Sequence, residues 1–357
     1  MELEIVSFIK NNPAHWKELL QDRPYHLKIK EKDSRILFKY NLLYSDFNFS
    51  ICREARGLIL EKDTWKVLRC AFFKFFNYGE SQADDIDVSS MQVQEKLDGS
   101  LISLYFYDGV WQVATNGCID ARDALTEDGV SFYRLFLDAT TERLYNLDTQ
   151  YTYTFELVGP YNRVVVPYSE NKLYHIGTRN NLTLQETNKD ITGASGKCVA
   201  KPITYSIINI EDVVKESKNL PYDEEGYVCV DKYFNRVKIK SPAYVAAHHL
   251  KSTLTGKTIL RVIRAGEKEE VLLHFPEWKE YFEEIENKYK KFCETLDKDI
   301  EEAKTLLGKD RITFAAYAKT KKETGMLFMV FDGKINNAQE YVDTLLDDKL
   351  FEKIRRI

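Results

Sequence analysis

The stretch Glu95-Lys96-Leu97-Asp98-Gly99-Ser100 constrains this chain more than any other. It lies between residues 91–95 and 101–107, which have the composition of strands, and Asp108-Gly109 then predicts a hairpin turn. We therefore expect a lysine on a tight bend inside a sheet. The glycine of this bend allows unusual backbone angles and lets a ligand approach the main chain. Similar sequences also occur in ordinary surface turns, so the stretch needs partners elsewhere in the chain.

Three later segments supply charged residues that suit one site. Glu156 interrupts an apolar strand, where a carboxylate is costly to bury unless something binds it. Glu225 precedes a glycine at the start of another strand. Lys238 and Lys240 are two residues apart, so on a strand both side chains point to the same face. Together with the lysine of the bend, these positions predict a pocket that contains both cations and carboxylates.

This order of charged residues resembles the covalent nucleotidyltransferase superfamily, which contains ATP-dependent ligases and capping enzymes. The resemblance makes Lys96 the nucleophile. It makes Glu156 the third motif, Glu225 the fourth, and Lys238 with Lys240 the fifth. Further short sequences resemble the bacteriophage T4 RNA ligase 1 family over about residues 35–250: Glu54-Ala55-Arg56-Gly57, Lys74-Phe75-Phe76-Asn77, Pro160-Tyr161-Asn162-Arg163-Val164-Val165, and Lys238-Ile239-Lys240-Ser241 leading to Tyr244-Val245.

The resemblance implies ATP-dependent joining of RNA with Mg²⁺, for which Mn²⁺ can substitute. Lys96 attacks ATP to form lysyl-AMP, AMP passes to an RNA 5'-phosphate, and an RNA 3'-hydroxyl then displaces it. Neighbouring cations favour the neutral amine that attacks, so Lys238 and Lys240 are expected to act in catalysis with Lys96. The residues expected to bind nucleotide are Glu95, Lys96, Arg56, Lys74, Glu156, Glu225, Lys238 and Lys240, of which Glu156 and Glu225 also hold the metal.

Three residues are expected to contact RNA: Arg56, Asn116 and Tyr244. A planar guanidinium such as that of Arg56 suits a 5'-phosphate, although a surface ion pair is the simpler alternative. Lys74 lies among phenylalanines, and aromatic stripes are more often core than ligand site. At Asn116 the chain departs from the family, which usually has a basic residue before this glycine, so Asn116 stands where a phosphate contact is expected.

Composition limits how the protein can bind nucleic acid and where it acts. A net charge of -5 excludes binding by bulk charge but leaves room for a local basic groove. The six cysteines are scattered without a Cys-x-x-Cys pair, which argues against a zinc site or a disulfide framework. The sequence starts without a basic leader, and no apolar run approaches membrane-spanning length. We expect a soluble cytoplasmic protein, which is compatible with a phage or viral protein acting inside its host.

At 357 residues the chain is long enough for two domains. Residues 1–248 are expected to form an α+β nucleotidyltransferase domain, an ATP-grasp-like ligase domain of antiparallel sheets with flanking helices. Within it we expect a helix from Asn12-Pro13 to about Leu20 and a mainly helical segment over Asp123–Leu147. Residues 249–357 change to charged helical periodicity and predict an all-helical C-terminal domain.

The expected partner is RNA with 5'-phosphate and 3'-hydroxyl ends, including nicked tRNA, bound by a monomer. A separate kinase-phosphatase that prepares such ends is a further expected partner. In the T4-type family the C-terminal domain is linked to the choice of broken tRNA. Basic positions near the domain junction therefore predict contacts with RNA phosphates: Lys251, Lys257, Arg261 and Arg264. A structural cap with solvated helix faces is the alternative.

Other functions share parts of this pattern. DNA ligases and mRNA-capping guanylyltransferases use the same lysine chemistry, but they normally add a small β-barrel domain, against which the helical C-terminus argues. A non-catalytic RNA-binding relative would be expected to have lost one of the five motif residues, and all five are present. The fungal and plant tRNA-splicing ligases carry extra end-healing domains that are not recognisable here.

Overall fold

The computed structural model describes residues 2–126, 128–140, 147–189, 191, 199–250, 256–274 and 278–355. The chain divides into two units, Met1–His248 and His249–Ile357. The first combines largely antiparallel sheets with helices, and the described part of the second consists of helices and their connections. The predicted α+β class is confirmed. No helix in the described part of the chain is long and apolar enough to span a membrane.

The elements are numbered in chain order. The strands are β1 Lys28–Lys32, β2 Arg35–Lys39, β3 Arg56–Glu61, β4 Val67–Arg69, β5 Phe76–Asn77, β6 Gln92–Glu95, β7 Ser100–Tyr107, β8 Val110–Thr115, β9 Tyr151–Val158, β10 Lys172–Asn180, β11 Glu186–Thr187, β12 Val199–Ala200, β13 Thr204–Tyr205, β14 Gly226–Val230 and β15 Arg236–Lys240. The helices are α1 Glu4–Asn11, α2 Trp16–Gln21, α3 Ser50–Glu54, α4 Phe132–Ala139, α5 Ile210–Ser217, α6 Pro242–Leu250, α7 Gly256–Ala265, α8 Lys268–His274, α9 Lys279–Lys304, α10 Arg311–Ala318, α11 Thr324–Phe331, α12 Ala338–Asp343 and α13 Asp347–Ile354.

Three sheets build the first unit. Sheet A has the strand order β1-β2-β3-β4, and its outer face packs on α1, α2 and α3. Sheet B has the order β13-β6-β14-β15-β5, and one of its faces packs on α5. Sheet C has the order β11-β10-β9-β7-β8, with β12 beside β10, and packs on α4. Most pairs are antiparallel, whereas β15–β5 and β10–β12 are parallel.

The hexapeptide around Lys96 connects two sheets, which corrects the prediction of a bend inside one sheet. β6 ends at Glu95 in sheet B, and β7 begins at Ser100 in sheet C. Gly99 is required here for a different reason than expected. A Cβ at Gly99 would lie 2.5 Å from the carbonyl oxygen of Leu157, so the glycine lets the neighbouring strand β9 approach.

Two helix predictions in the first unit were wrong at their boundaries. The sequence around Asn12-Pro13 ends α1 rather than opening a helix, and α2 begins only at Trp16. The cap of α1 comes from a distant residue, because Glu54 accepts the N–H groups of Glu4 and Ile5 at 2.9 Å each. Such a cap has no local sequence signal.

The second wrong boundary concerns the segment predicted to be helical over Asp123–Leu147. Within its described residues only Phe132–Ala139 is helical, and residues 141–146 lie outside the described part. Gly129 has a φ of +77°, which ends any helix, and Ser131 then caps α4 by accepting the N–H of Arg134 at 3.2 Å.

Buried guanidinium groups join the three sheets. Arg69 of β4 is fully buried and donates to the Gly57 carbonyl, to Ser103 Oγ at 2.8 Å and to Asn116 Oδ1 at 3.2 Å. Because Ser103 lies on β7, Arg69 links sheet A to sheet C. Burial lowers the pKa of Arg69 to about 10, and its guanidinium stays charged at neutral pH.

Sheets B and C are joined by a buried ionic triad. Glu186 of β11 lies between Arg179 of β10 and Arg236 of β15, with 2.7 Å between Glu186 and Arg236. All three side chains are at most about a tenth exposed, so neither arginine is screened by water. The two guanidinium groups also lie over the rings of Phe73 and Phe72, which shields them further.

The Glu54 cap predicts a pH dependence of stability. Burial raises the pKa of Glu54 to about 7, from an ordinary value of 4.5. Between these pH values the folded protein keeps a proton on Glu54 that the unfolded chain has released. This contribution to stability is fully present below pH 4.5 and is lost as the pH rises towards 7. We expect Glu54→Gln to remove this dependence. The unfolding free energy of the wild type, relative to the variant, should fall by about 3 kcal/mol across the window. Urea unfolding of both proteins at a series of pH values measures it, and parallel curves would contradict the assignment.

Candidate active site

One carboxylate holds two lysines at the end of sheet B. The Lys96 ammonium lies 2.6 Å from Glu225 Oε1, and the Lys240 ammonium lies 3.4 Å from the same oxygen. Glu225 is buried, whereas the side chain of Lys96 keeps 20% of its exposure. The direct contact of Lys96 is therefore a carboxylate, and Lys240, one of the cations expected near it, contacts the same oxygen.

Strand geometry produces this contact. The Lys96 N–H donates to the Gly226 carbonyl at 2.8 Å, and Gly226 pairs with Lys240 across β14 and β15. Gly226 has a φ of +136°, and a Cβ there would lie 2.8 Å from Lys240 Cα and clash with the Ile239 carbonyl. Only glycine allows this close approach of the backbones. The glycine after Glu225 thus brings the two lysines to one carboxylate.

Lys238 and Lys240 share one face of β15, as the spacing indicates. Val237 and Ile239, which alternate with them, lie in the core beneath α5 with Val213. Lys238 is half-buried and pairs across the ladder with Val228. The lysine face of sheet B is therefore the face opposite α5.

Glu156 comes to the site from sheet C. Burial raises the pKa of Glu156 to about 8, an effect that the negative charges of Glu225 and Asp98 strengthen and the positive charges of Lys96 and Arg56 oppose. These interactions place Glu156 among the charged groups of sheets A and B. Strands from all three sheets thus supply one cluster.

Asp98 is a site residue that the sequence reasoning missed. Its Oδ2 accepts the N–H groups of Val165 and Val166 at 2.7 Å each, and its Oδ1 accepts the hydroxyl of Tyr244 at 2.8 Å. The side chain is buried, so both oxygens are satisfied within the protein. Asp98 therefore fixes the loop after Lys96 to the segment around Val165. Its position two residues after the lysine was the available signal.

Tyr244 was expected to contact RNA, and the structure places it elsewhere. The side chain is 2% exposed and packs with Val165 and Val245, while its hydroxyl donates to Asp98. A residue so enclosed has no surface for RNA. We assign it instead to positioning the loop that carries Lys96.

Arg56 is the first residue of β3, and Lys74 lies two residues before β5. The Arg56 guanidinium lies 4.9 Å from the ring centroid of Phe75 and donates to the Phe73 carbonyl at 3.4 Å. Its buried Nε has no hydrogen-bond partner among the described residues. The Lys74 ammonium lies 5.1 to 5.7 Å from three ring centroids, those of Phe76, Phe47 and Tyr40. Both cations therefore rest on aromatic rings, which stabilise a desolvated charge.

Two other predicted residues take structural contacts. Asn116 is half-buried and accepts a hydrogen bond from Arg69, as described above. Glu95 is the last residue of β6, so by strand alternation its side chain shares the face that carries Val93 and packs towards α5. There Glu95 Oε2 accepts the N–H of Ile203 at 3.3 Å. The Glu95 carboxylate is thus directed away from the lysine cluster.

The carboxylates of the site suit a metal only together with further ligands. Among the described residues, no group of three or more histidine, cysteine, aspartate or glutamate side chains could hold a metal ion. Glu156 and Glu225 form a pair whose negative charges interact, as the raised pKa of Glu156 shows. Mg²⁺ is commonly held by one or two carboxylates plus substrate phosphates, and this pair fits that mode of binding.

In the helical unit, the basic residues of α7 that were predicted to contact RNA form ion pairs with acidic residues of the same unit. Lys257 lies 3.1 Å from Asp348, Arg261 lies 3.3 Å from Asp347, and Arg264 also pairs with Asp347. Lys251 lies outside the described residues. The described cations of α7 therefore stabilise its packing against α13, and a role of this unit in choosing RNA stays a prediction.

Comparison with known proteins identifies the family. The family model for RNA ligases of the T4 RNA ligase 1 type matches residues 54–244, which is more than half of the chain. The chain therefore belongs to this RNA ligase family, and the resemblance seen in the sequence is confirmed. The matched range contains every motif residue of the cluster described above.

Individual relatives differ in how much of their length is matched. An RNA ligase of Rhodothermus phage RM378 is 26% identical over 397 residues, with 90% of each protein covered. A protein of Autographa californica nuclear polyhedrosis virus, named a bifunctional polynucleotide kinase/RNA ligase, is 31% identical over 281 residues, or 71% of this chain. The match spans only 40% of that viral protein. Among solved structures, an archaeal ATP-dependent RNA ligase aligns with a TM-score of 0.47 at 13% identity, covering 78% of this chain and 77% of that one.

The new role of Tyr244 can be tested by removing its hydroxyl. Tyr244→Phe leaves one oxygen of the buried Asp98 without its donor, which should destabilise the protein by about 1–3 kcal/mol. If Tyr244 positions the Lys96 loop, reaction of Lys96 with a nucleotide should slow, whereas a residue that only contacts RNA would leave that step unchanged. Tyr222→Phe, at an exposed tyrosine, is the matched control. Thermal unfolding and single-turnover labelling with α-labelled ATP provide the two measurements.

Proposed function

We propose that this chain is an ATP-dependent RNA ligase that joins RNA 5'-phosphate and 3'-hydroxyl ends through lysyl-AMP and RNA-adenylate intermediates. The observation that carries the proposal is the cluster in which Glu225 contacts both Lys96 and Lys240. Membership of the RNA ligase family supports it. A partly exposed lysine among buried charges, at the junction of two sheets, is suited to covalent catalysis.

In the first step, the amine of Lys96 attacks the α-phosphorus of ATP, a phosphorus–nitrogen bond forms, and the bond to pyrophosphate breaks. The attacking amine must be neutral, so the ammonium has to lose a proton. Glu225, at 2.6 Å, is placed to accept it. Lys240 and Lys238, on the same face of β15, are placed to stabilise the negative charge that develops on the phosphates.

A divalent metal belongs to this site as well. Glu156 and Glu225 would hold Mg²⁺ together with ATP phosphates, and the ion would supply charge neutralisation at the phosphorus under attack. Glu156 is also assigned to a contact with the bound nucleotide. Lys74, whose ammonium lies over three aromatic rings, is assigned to the nucleotide as the family resemblance implies.

In the later steps, AMP passes from Lys96 to the RNA 5'-phosphate, and the 3'-hydroxyl of the other RNA end displaces it. Arg56 is assigned to the 5'-phosphate. Its guanidinium has a buried Nε without a partner, and a phosphate oxygen would satisfy such a donor. The charge of Arg56 acts on Glu156, so a phosphate bound there would lie beside the nucleotide.

The alternatives are weaker for this chain. A DNA ligase or capping guanylyltransferase would need a β-barrel partner domain, and the described residues 256–355 form helices. A nicked tRNA is the proposed substrate, and an enzyme that heals RNA ends is the proposed partner. One viral relative is named for both a polynucleotide kinase and a ligase, which supports such a pairing. We keep selection of the RNA as the proposed role of the helical unit.

Lys96→Ala should abolish covalent labelling by α-labelled ATP and sealing of phosphorylated RNA. Lys96→Arg should fail equally, because a guanidinium stays protonated and cannot attack. Lys62→Ala, at an exposed lysine in the turn after β3 that pairs with Glu31, is the matched control and should label fully. Gel analysis of the labelled protein measures the effect. Label retained by Lys96→Ala would place the nucleophile elsewhere.

Arg56→Ala should separate the steps of the reaction. If Arg56 holds the RNA 5'-phosphate, the variant should form lysyl-AMP at a near-normal rate but transfer AMP to RNA at least tenfold more slowly. Loss of one charge-assisted phosphate contact corresponds to about 1.5–3 kcal/mol, which is a factor of about ten or more. Single-turnover assays started from the purified enzyme–AMP measure the transfer. Equal slowing of the first step would instead assign Arg56 to ATP.

A further inference from the structure

A bulge in sheet A sets two cations side by side at the edge of the site. The pairing of β2 with β3 shifts between Phe38 and Lys39, so that Lys39 faces Arg56 and Gly57 is passed over. Gly57 has a φ of +74°, a conformation that favours glycine. Bulges of this kind redirect side chains and are common beside active sites. Lys39 and Arg56 are therefore cross-strand neighbours with like charges.

The turn after β8 brings a third cation to the same place. Lys30 on β1 donates to the Gly117 carbonyl at 2.8 Å. The Lys39 ammonium lies 3.5 Å from the position that a Cβ on Gly117 would occupy. This is an ordinary van der Waals distance, so the Lys39 ammonium lies directly over the turn that Lys30 also contacts.

Arg69 locks the bulge to this turn. It donates to the Gly57 carbonyl from below and to Asn116 Oδ1 at 3.2 Å. A Cβ on Gly57 would lie 2.8 Å from Asn116 Cα, so the two backbones are in direct contact. Because Arg69 is fully buried, this junction is part of the rigid core. The cations above it are therefore preorganised.

Three positive side chains thus converge at one built surface: Lys30, Lys39 and Arg56. Adjacent positive charges attract an anion such as a phosphodiester. Lys30 is exposed and forms no ion pair with the described residues. Arg56 contributes its unpartnered Nε, as noted above. Exposure increases along this surface away from Arg56: Lys39 is half-buried and Lys30 is exposed.

We propose that Lys39 and Lys30 form a second phosphate site, which binds the phosphodiester that follows the reacting 5'-phosphate of the RNA. The inference rests on the proposed function, in which Arg56 holds the 5'-phosphate itself. Two lysines beside an asparagine amide recognise a backbone phosphate without reading bases. This second site selects an RNA strand over a lone 5'-nucleotide.

Binding of a short 5'-phosphorylated RNA to the full-length protein tests the proposal. The variants are Lys39→Met, Lys30→Met and Lys39→Arg, and the control is Lys62→Met, at an exposed lysine in the turn after β3. Methionine keeps the length of the aliphatic stem and removes the charge. Fluorescence anisotropy at several salt concentrations gives the Kd and its salt dependence for each protein.

Each methionine variant should raise the Kd for this RNA at least threefold and flatten the slope of log K against log salt by about 0.7. Lys39→Arg and Lys62→Met should bind as the wild type does. A nucleoside 5'-monophosphate, which lacks the second phosphate, should bind all these proteins equally. Wild-type affinity and slope in both methionine variants would overturn the proposal, as would an equal loss of monophosphate binding.

Two readouts separate this inference from the proposed ligase function. Lysyl-AMP formation should be unchanged in Lys39→Met and Lys30→Met, because both residues are assigned to the RNA strand rather than to the nucleotide. If the wild type itself formed no lysyl-AMP while RNA binding still depended on these lysines, the ligase function would fail and the phosphate site would stand. If Lys39→Met failed to fold, the exposed Lys30→Met would decide the question by the same binding measurements.

Discussion

The contact of Glu225 with two lysines is the interaction on which the proposed chemistry depends. A buried carboxylate next to two ammonium groups is stable because each charge offsets the desolvation of the others. The contact exists only because Gly226 lets β14 approach the end of β15. Without Glu225, Lys96 and Lys240 would repel each other at short range. The carboxylate therefore both assembles the site and restrains the nucleophile.

Rigid junctions between the sheets hold this contact in place. Arg69 joins sheets A and C, and the triad around Glu186 joins sheets B and C. Removing one member of such a buried ionic group strands an uncompensated charge, so these links resist small displacements. Residues that meet at the site come from all three sheets. Catalytic geometry has to be held within a fraction of an ångström, and these buried links supply that constraint.

The grouping of the charged residues could be predicted from the sequence because it follows from local patterns. Alternation along β15 places Lys238 and Lys240 on one face, and the structure has them there. The glycine after Glu225 was recognised at the start of a strand, and the close approach of strands that it allows is seen only in the structure. The family match then follows from the same short stretches. These features need no knowledge of which strands become neighbours.

Contacts between distant residues could not be predicted in this way. The cap of α1 lies 49 and 50 residues from the groups it accepts. The sequence reasoning overlooked β10 as well, because its buried positions include polar residues that are satisfied internally, such as His175 with Thr178 at 2.8 Å. The role of Tyr244 was misjudged for the same reason: an aromatic residue near a lysine strand suggests a ligand contact, and only the tertiary structure reveals Asp98 beside it.

The hydrogen bonds of Asp98 to Val165, Val166 and Tyr244 have a consequence for how the protein folds during synthesis. The aspartate is separated from Tyr244 by 146 residues and from Val165 by 67. During synthesis, the lysine loop therefore leaves the ribosome long before the residues that fix it exist. Contacts of such high sequence separation form late and slow folding. The reactive lysine becomes ordered only when nearly the whole first unit has been synthesised. In incomplete chains Lys96 is therefore not held in position.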